Sequence, residues 1–222
     1  MSRVRLVGLT QPILSELPDA SAEDFIAYCA RVSNPANQAN QETAAKLVGY
    51  LVRHHHWSPF EMAHAVLEVE TTRDIARQIL RHRSFSFQEF SQRYAAVQEP
   101  PVFREPRLQD NKNRQNSLAV DDPGLADRWL KLQEQTAELT NQTYQWALKH
   151  GIAKEVARVV LPEGLTPSRL YMAGTIRSWI HYVQLRTSAG TQLEHREIAA
   201  ECKARLLEAM PSLEEVLHAT EH

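Results

Sequence analysis

The order of segments along the chain predicts an α+β fold, with a mixed or antiparallel sheet and long helices. Short aliphatic runs come early, at Val4, Leu6, Val7 and Leu9 and again at Val66, Leu67 and Val69. From Leu125 onward apolar residues recur mainly at helical spacing. Strands first and helices later is the α+β pattern.

Between the two strands lie two helical stretches. Ser21 to Arg31 opens with Ser21 followed three residues later by Asp24, a capping arrangement. Gln41 to His54 places Ala44, Leu47, Val48 and Leu51 on one face. Thr71 to Leu80 reads as a short helix capped by Thr71 or Thr72, with Ile75 and Ile79 on its apolar side. Ser84 to Tyr94 mixes aromatic and polar residues and reads as a strand or extended loop. Pro100 to Pro123 holds four prolines and many charges, so a polar loop at about 104–122 is expected within one domain spanning 1–222. Four helices follow: Leu125 to His150, ended by Gly151; Ile152 to Val160; Pro167 to Arg186, with Pro167 in its first turn; and Thr191 to Ala209.

Composition narrows the function. The chain has 222 residues, 43% of them hydrophobic and 23% charged, which is globular rather than disordered. A formal net charge of -2 gives no overall attraction to nucleic acid or membrane, so any anion site is a local cluster. Two cysteines, Cys29 and Cys202, are too few for a disulfide framework. The N-terminus resembles no signal peptide and no run is long enough to span a bilayer, so a cytoplasmic location is expected.

The densest polar segment runs from Gln78 to Tyr94. Arg81, His82 and Arg83 are adjacent and must splay apart at a helix end, and an anion would relieve their mutual repulsion. Glu89, Ser91 and Arg93 are two apart and would share one side of an extended segment with Phe87. A carboxylate, a hydroxyl, a guanidinium and an aromatic edge on one side suit a nucleotide. Phe85, Phe87 and Phe90 are weighed as core residues first and stacking platform second. Two other readings are open: a nucleic-acid module using the Arg81–Arg93 cluster, and a metal-dependent hydrolase on His54-His55-His56. Adjacent histidines converge poorly on one ion, so no metal is expected. Glu194 and Glu197 read as a solvated helix face.

Arg81-His82-Arg83, seven residues, then Ser91 resembles the signature of flavin-dependent thymidylate synthases. Gln78, Glu89, Arg93 and Tyr94 fall at matching places. Further segments match in order: Arg31-Val32-Ser33, His56-Trp57-Ser58-Pro59-Phe60-Glu61, Arg158 in Ala-Arg-Val-Val-Leu-Pro, and Arg177, Leu185 and Arg186. The resemblance extends from about Val4 to Leu217. The chain departs from the family pattern at Met62, Gln88, Thr175, His181 and Gly190.

The resemblance implies an intertwined homotetramer with active sites at subunit interfaces. It implies reductive methylation of dUMP to dTMP, with methylenetetrahydrofolate as carbon donor and NADPH-reduced FAD as hydride source. Gln78, Arg81, Glu89, Phe90, Ser91, Gln92, Arg93, Arg158 and Arg186 are then expected at dUMP. Ser33, Ser58, Glu61, Arg81, His82, Arg83, Ser84, Glu89, Thr175, Arg177, His181 and Leu185 are expected at FAD. Arg186, Ser91 and His56 are the expected catalytic set, with Ser91 positioning substrate because no base is at hand to activate it. No cysteine nucleophile is needed.

Overall fold

The computed structural model of the chain describes residues 3–218. The elements, in chain order, are β1 (Val4–Leu9), α1 (Ala22–Ala30), α2 (Ala44–Arg53), β2 (His64–Thr72), α3 (Arg73–Ile79), β3 (Ser86–Glu89), β4 (Arg107–Gln109), β5 (Ser117–Ala119), α4 (Pro123–Lys149), α5 (Lys154–Ala157), β6 (Pro167–Thr175), α6 (Ile176–Arg186), α7 (Leu193–Ala209) and α8 (Glu214–His218). The α+β expectation holds.

Four strands form one antiparallel sheet in the order β1-β2-β6-β3. Alternation decides its faces. Ala65, Leu67 and Val69 of β2 and Leu170 and Met172 of β6 point inward and are sealed from solvent. Arg5, Glu68, Glu70, Arg169 and Tyr171 point outward. There Arg5 pairs with Glu68 at 2.6 Å, Tyr171 donates to Glu68 at 2.8 Å, and Arg169 pairs with Glu70 at 3.3 Å.

The inner face carries α1, α2, α3, α6 and α7, which contribute Ile26, Val48, Ile75, Ile79, Trp179, Tyr182, Ile198 and Leu206 to one core. Each fully buried aliphatic side chain is worth about 1.5–3 kcal/mol. Trp179 also donates its indole N–H to the Ala65 carbonyl at 3.1 Å, so its burial leaves no donor unmet.

Local signals explain most boundaries. Ser21 and Asp24 form the expected capping box at α1. Asp122 caps α4 by accepting from the Leu125 N–H at 3.1 Å, and Pro123 occupies its first turn. Gly151, at φ +75°, ends that helix in the left-handed region where a Cβ is costly.

Three expectations need correction. Pro167 to Arg186 is not one helix. Ser168, Leu170, Met172 and Gly174 alternate inward, so 167–175 is the strand β6, and the helix starts only at Ile176. The Thr175 hydroxyl caps it by accepting from the Ser178 N–H at 3.1 Å. The strand β2 likewise runs through Thr71 and Thr72, and α3 begins at Arg73. The 104–122 segment is also more ordered than a plain loop. It holds the β4–β5 hairpin, and Arg104 anchors it through a bidentate contact to Asp74 at 2.7 and 2.8 Å.

α4 stands mostly apart from the sheet layer. It buries Gln133, Ala137, Tyr144 and Ala147, and leaves Trp129, Leu139 and Trp146 exposed.

Candidate active site

α3 ends at Ile79, and the chain turns through Arg81, His82 and Arg83 before entering β3. The three side chains splay as their adjacency requires. Arg81 and Arg83 face solvent, and neither has a carboxylate partner among the described residues. His82 folds inward to 8% exposure, with its ring edge-on to Tyr182 at 4.9 Å. Arg186 Nε donates to His82 Nε2 at 2.8 Å, which leaves the ring proton on Nδ1. Burial, followed by the charges of Arg186 and His181, pushes the His82 pKa down to about 4. His82 is therefore a neutral acceptor that aims a cation.

β3 stops at Glu89, so the two-apart alignment of Glu89, Ser91 and Arg93 does not hold. Ser91 opens a turn in which its carbonyl accepts from the Tyr94 and Ala95 N–H groups, both at 3.1 Å. Glu89 is tied into the framework. Ser168 donates to it at 2.8 Å, and Arg73 and Arg77 lie at 3.5 and 3.6 Å. Phe85 is core, Phe87 packs against it and Phe90 is exposed. Gln92 is buried, and its amide nitrogen has no partner.

Beyond that turn a second cluster forms. Arg93 Nε reaches the Glu155 carboxylate at 3.3 Å, and Arg158 Nε donates to the Glu155 carbonyl at 3.3 Å. One residue of α5 thus gathers two arginines that lie 65 positions apart in the chain. Arg93 and Arg158 do not contact Arg186 among the described residues. β3 intervenes: Ser86 pairs with Ala173 near the start of α6, and Glu89 pairs with Leu170 towards the other end of β6. Four residues of strand are roughly 13 Å long.

The cofactor-side residues share a different surface. Arg177, His181 and Leu185 follow at helical spacing on the exposed side of α6. Arg177 pairs with Glu61 from the 58–61 turn, and Ser178 donates to the Ser84 carbonyl at 3.4 Å. That face therefore joins α6, the 81–84 turn and the segment carrying Ser58 and Glu61, with His56 exposed just before it. Ser33 lies exposed on the turn after α1, behind the buried Arg31, which donates to Thr43 at 2.7 Å. Thr175 spends its hydroxyl on the α6 cap. Met62, Gln88 and Gly190 are exposed.

The interior support of the site carries no local sequence signal. His195 is fully buried between Tyr182 and Gln78, whose contacts to it measure 3.1 and 3.3 Å. Burial, then Arg186 and His82, lowers its pKa to about 3. Glu194 is not a solvated residue: its side chain is 18% exposed and holds Arg107 at 2.7 Å. Glu197 is exposed and pairs with Arg3 at 3.0 Å. Among the described residues no three His, Cys, Asp or Glu side chains gather as metal ligands. His54 and His56 keep their rings 6.1 Å apart.

Two clefts, of about 610 and 730 Å³, lie beside α4 and under the β4–β5 hairpin, and neither contains the arginines of the motif. Arg81, Arg83 and Arg93 of the motif sit on open surface. Outward cations with no counter-charge fit a dinucleotide pyrophosphate, which accepts charge-assisted hydrogen bonds from guanidinium groups.

Arg81 and Arg83, without carboxylate partners among the described residues and on an α+β framework that has no GxGxxG loop, offer anion contacts outside the Rossmann plan. Residues 15–212 match the Thy1 family model, described as thymidylate synthase complementing protein. The chain belongs to this family, the flavin-dependent thymidylate synthases. It is 50% identical over 213 residues, 96% of this chain and 97% of the relative, to a probable flavin-dependent thymidylate synthase of Paramecium bursaria Chlorella virus 1. It is 48% identical over 211 residues, 95% of this chain and 96% of the relative, to the flavin-dependent thymidylate synthase of Synechocystis sp.. Among solved structures it resembles a UMP/dUMP methylase, PolB, from Streptomyces cacaoi bound with 5-Br dUMP. The TM-score is 0.79 at 28% identity, covering 97% of this chain and 94% of that one.

Proposed function

We propose that this chain converts dUMP to dTMP as a homotetramer, taking the carbon from methylenetetrahydrofolate and reducing equivalents from NADPH through FAD. The observation that carries the reading is the Arg93–Glu155–Arg158 cluster. Glu155 is an exposed counter-ion, 55% open at its side chain. A phosphate dianion that displaces this carboxylate takes over Arg93, and Arg158, whose Nε bonds only the Glu155 main-chain carbonyl, keeps its terminal nitrogens for the same anion. The bound pyrimidine of PolB supports dUMP as the ligand.

Arg186 is the group for the uracil ring. His82 Nε2 fixes its Nε, leaving the terminal nitrogens free to stabilise negative charge on a pyrimidine carbonyl as C5 attacks. One chain keeps Arg93 and Arg158 away from Arg186, so a single nucleotide reaches all three only if another subunit completes the site. The exposure of Val159 at 82%, Tyr94 at 79% and Leu139 at 66% supports such a partner, since large apolar side chains left open mark association surfaces.

FAD, when bound, supplies the hydride that completes the methyl group. Arg81, Arg83 and Arg177 would hold its phosphates and ring edge, His181 and Leu185 on the exposed side of α6 would add contacts to it, and His56 would serve the reducing substrates. Ser91 positions substrate through its turn. The protein has two free thiols and acts on nucleotides, which fits a cytosolic site of action.

The test is dUMP binding to the flavin-loaded enzyme. Arg93→Ala should weaken it by about 2–5 kcal/mol, the usual cost of removing one partner of a desolvated charge pair. Arg158→Ala should cost a similar amount. Unchanged affinity in both variants removes the phosphate from this cluster.

A further inference from the structure

A continuous hydrogen-bonded chain runs through the protein beneath Gln78. Tyr182 contacts His195 Nε2 at 3.1 Å, and His195 Nδ1 contacts Gln78 Oε1 at 3.3 Å. Gln78 Nε2 donates to Gln192 Oε1 at 2.7 Å, and Gln192 Nε2 donates to Glu194 Oε2 at 2.9 Å. The other Glu194 oxygen takes Arg107 from β4 at 2.7 Å, with Arg104 at 3.7 Å.

Four of these side chains can run either way. An amide reverses when it flips, an imidazole when it changes tautomer, and a phenol when its hydrogen rotates. Glu194 cannot reverse, because an ionised carboxylate only accepts, and the guanidinium groups beyond it only donate. Burial opposes that ionisation, but hydrogen bonds from its own backbone, Gln192 and Arg107 outweigh it and hold the pKa below the ordinary value. The direction therefore propagates from Glu194. Gln192 must turn its NH2 towards the carboxylate and its oxygen towards Gln78. Gln78 must turn its NH2 to Gln192 and its oxygen to His195. His195 must carry its proton on Nδ1, and Tyr182 must donate to Nε2.

We propose that Glu194, clamped by Arg107 of the hairpin, is a positioning residue that dictates the amide orientation of Gln78 through Gln192, with His195 and Tyr182 locking the far end. This inference rests on the reading of Gln78 as a dUMP contact. Each amide end of Gln78 keeps one unused site: an N–H on the Gln192 side and a lone pair on the His195 side. The substrate thus meets a donor in one fixed place. A flipped amide would present an oxygen there, which repels a phosphate or a pyrimidine carbonyl.

Glu194→Gln is the decisive variant. Its oxygen is drawn to Arg107, so its NH2 faces the NH2 of Gln192 and the chain reverses. In the FAD-loaded enzyme, dUMP Kd and KM should rise about 2- to 10-fold, the range expected when one rotamer-rich side chain must be ordered on binding. kcat at saturating dUMP and flavin content should hold. His195→Leu should do the same, whereas His195→Asn, whose amide N–H can stand where Nδ1–H stood, should recover most of the loss.

The signature that general damage would not produce is the His195 tautomer, read by 15N NMR. Nδ1–H in the unsubstituted protein and Nε2–H in Glu194→Gln support the proposal. Nε2–H in the unsubstituted protein overturns it and needs no variant. Gln78→Ala separates the two layers. If it weakens dUMP while Glu194→Gln changes neither affinity nor tautomer, the positioning role fails alone. If Gln78→Ala leaves dUMP binding intact, the underlying site assignment fails, and the positioning role with it.

Discussion

Mild acid should destabilise this protein before its carboxylates titrate, because His82 and His195 are buried as neutral rings. Their pKa values in the fold are about 4 and about 3, against 6.5 for a free histidine. Both are lowered, so between those values and 6.5 the unfolded chain binds the extra protons. Stability is therefore complete above about pH 6.5 and falls as the pH drops towards 4. At about pH 5.5 each ring costs about 1.4 kcal/mol, or roughly 2–3 kcal/mol for both, since a tenfold difference in proton affinity between the two states is worth about 1.4 kcal/mol. That is a large share of a typical stability of about 5–15 kcal/mol. The charges responsible are close at hand: Arg186 bonds His82, and the two histidine rings lie 6.4 Å apart. Urea unfolding followed by tryptophan fluorescence, at about pH 7.5 and about pH 5.5 and matched protein concentration, measures the effect. The double variant His82→Gln, His195→Gln should lose most of the pH dependence whatever its absolute stability. Equal urea midpoints for the unsubstituted protein at the two pH values would refute the neutral, buried assignment.

Three further outcomes follow from the packing. Gly174→Ala should cost about 1–3 kcal/mol or more by overpacking, because the new Cβ would stand 2.6 Å from Cε1 of the Phe85 ring. Thermal unfolding reads this, and Gly174→Ala combined with Phe85→Leu should cost less than the sum of the two single changes. Cys29→Ala with Cys202→Ala should leave methylation intact, since burial raises both thiols and neither is a ready nucleophile at neutral pH; lost turnover with normal flavin content would contradict that. Arg104→Ala should loosen the β4–β5 hairpin, because it removes the contacts to Asp74 and Thr72 together. Faster hydrogen exchange at 105–120, with the sheet still protected, is the expected readout.

Much of the protein was written in local pattern. The Ser21–Asp24 box, the Gly151 stop and the strands β1 and β2 depend on neighbours in sequence, so capping and local pattern reveal them. The splay of Arg81, His82 and Arg83 follows from adjacency alone, and the spacing from Gln78 to Tyr94 was enough for the family. Other features are products of distance. Residues 167–175 look helical until β2 and β3 are seen flanking them, because a central strand is defined by its partners on both sides. Glu89 gains its contacts to Arg73 and Ser168 only because β6 lies beside β3. Arg93 and Arg158 meet at Glu155, and Gln78 meets His195 across 117 positions of sequence. Such contacts are made by closing the chain on itself. A residue's type and spacing state what chemistry it can offer, while its partner, and so its charge, tautomer and direction, is set by the fold.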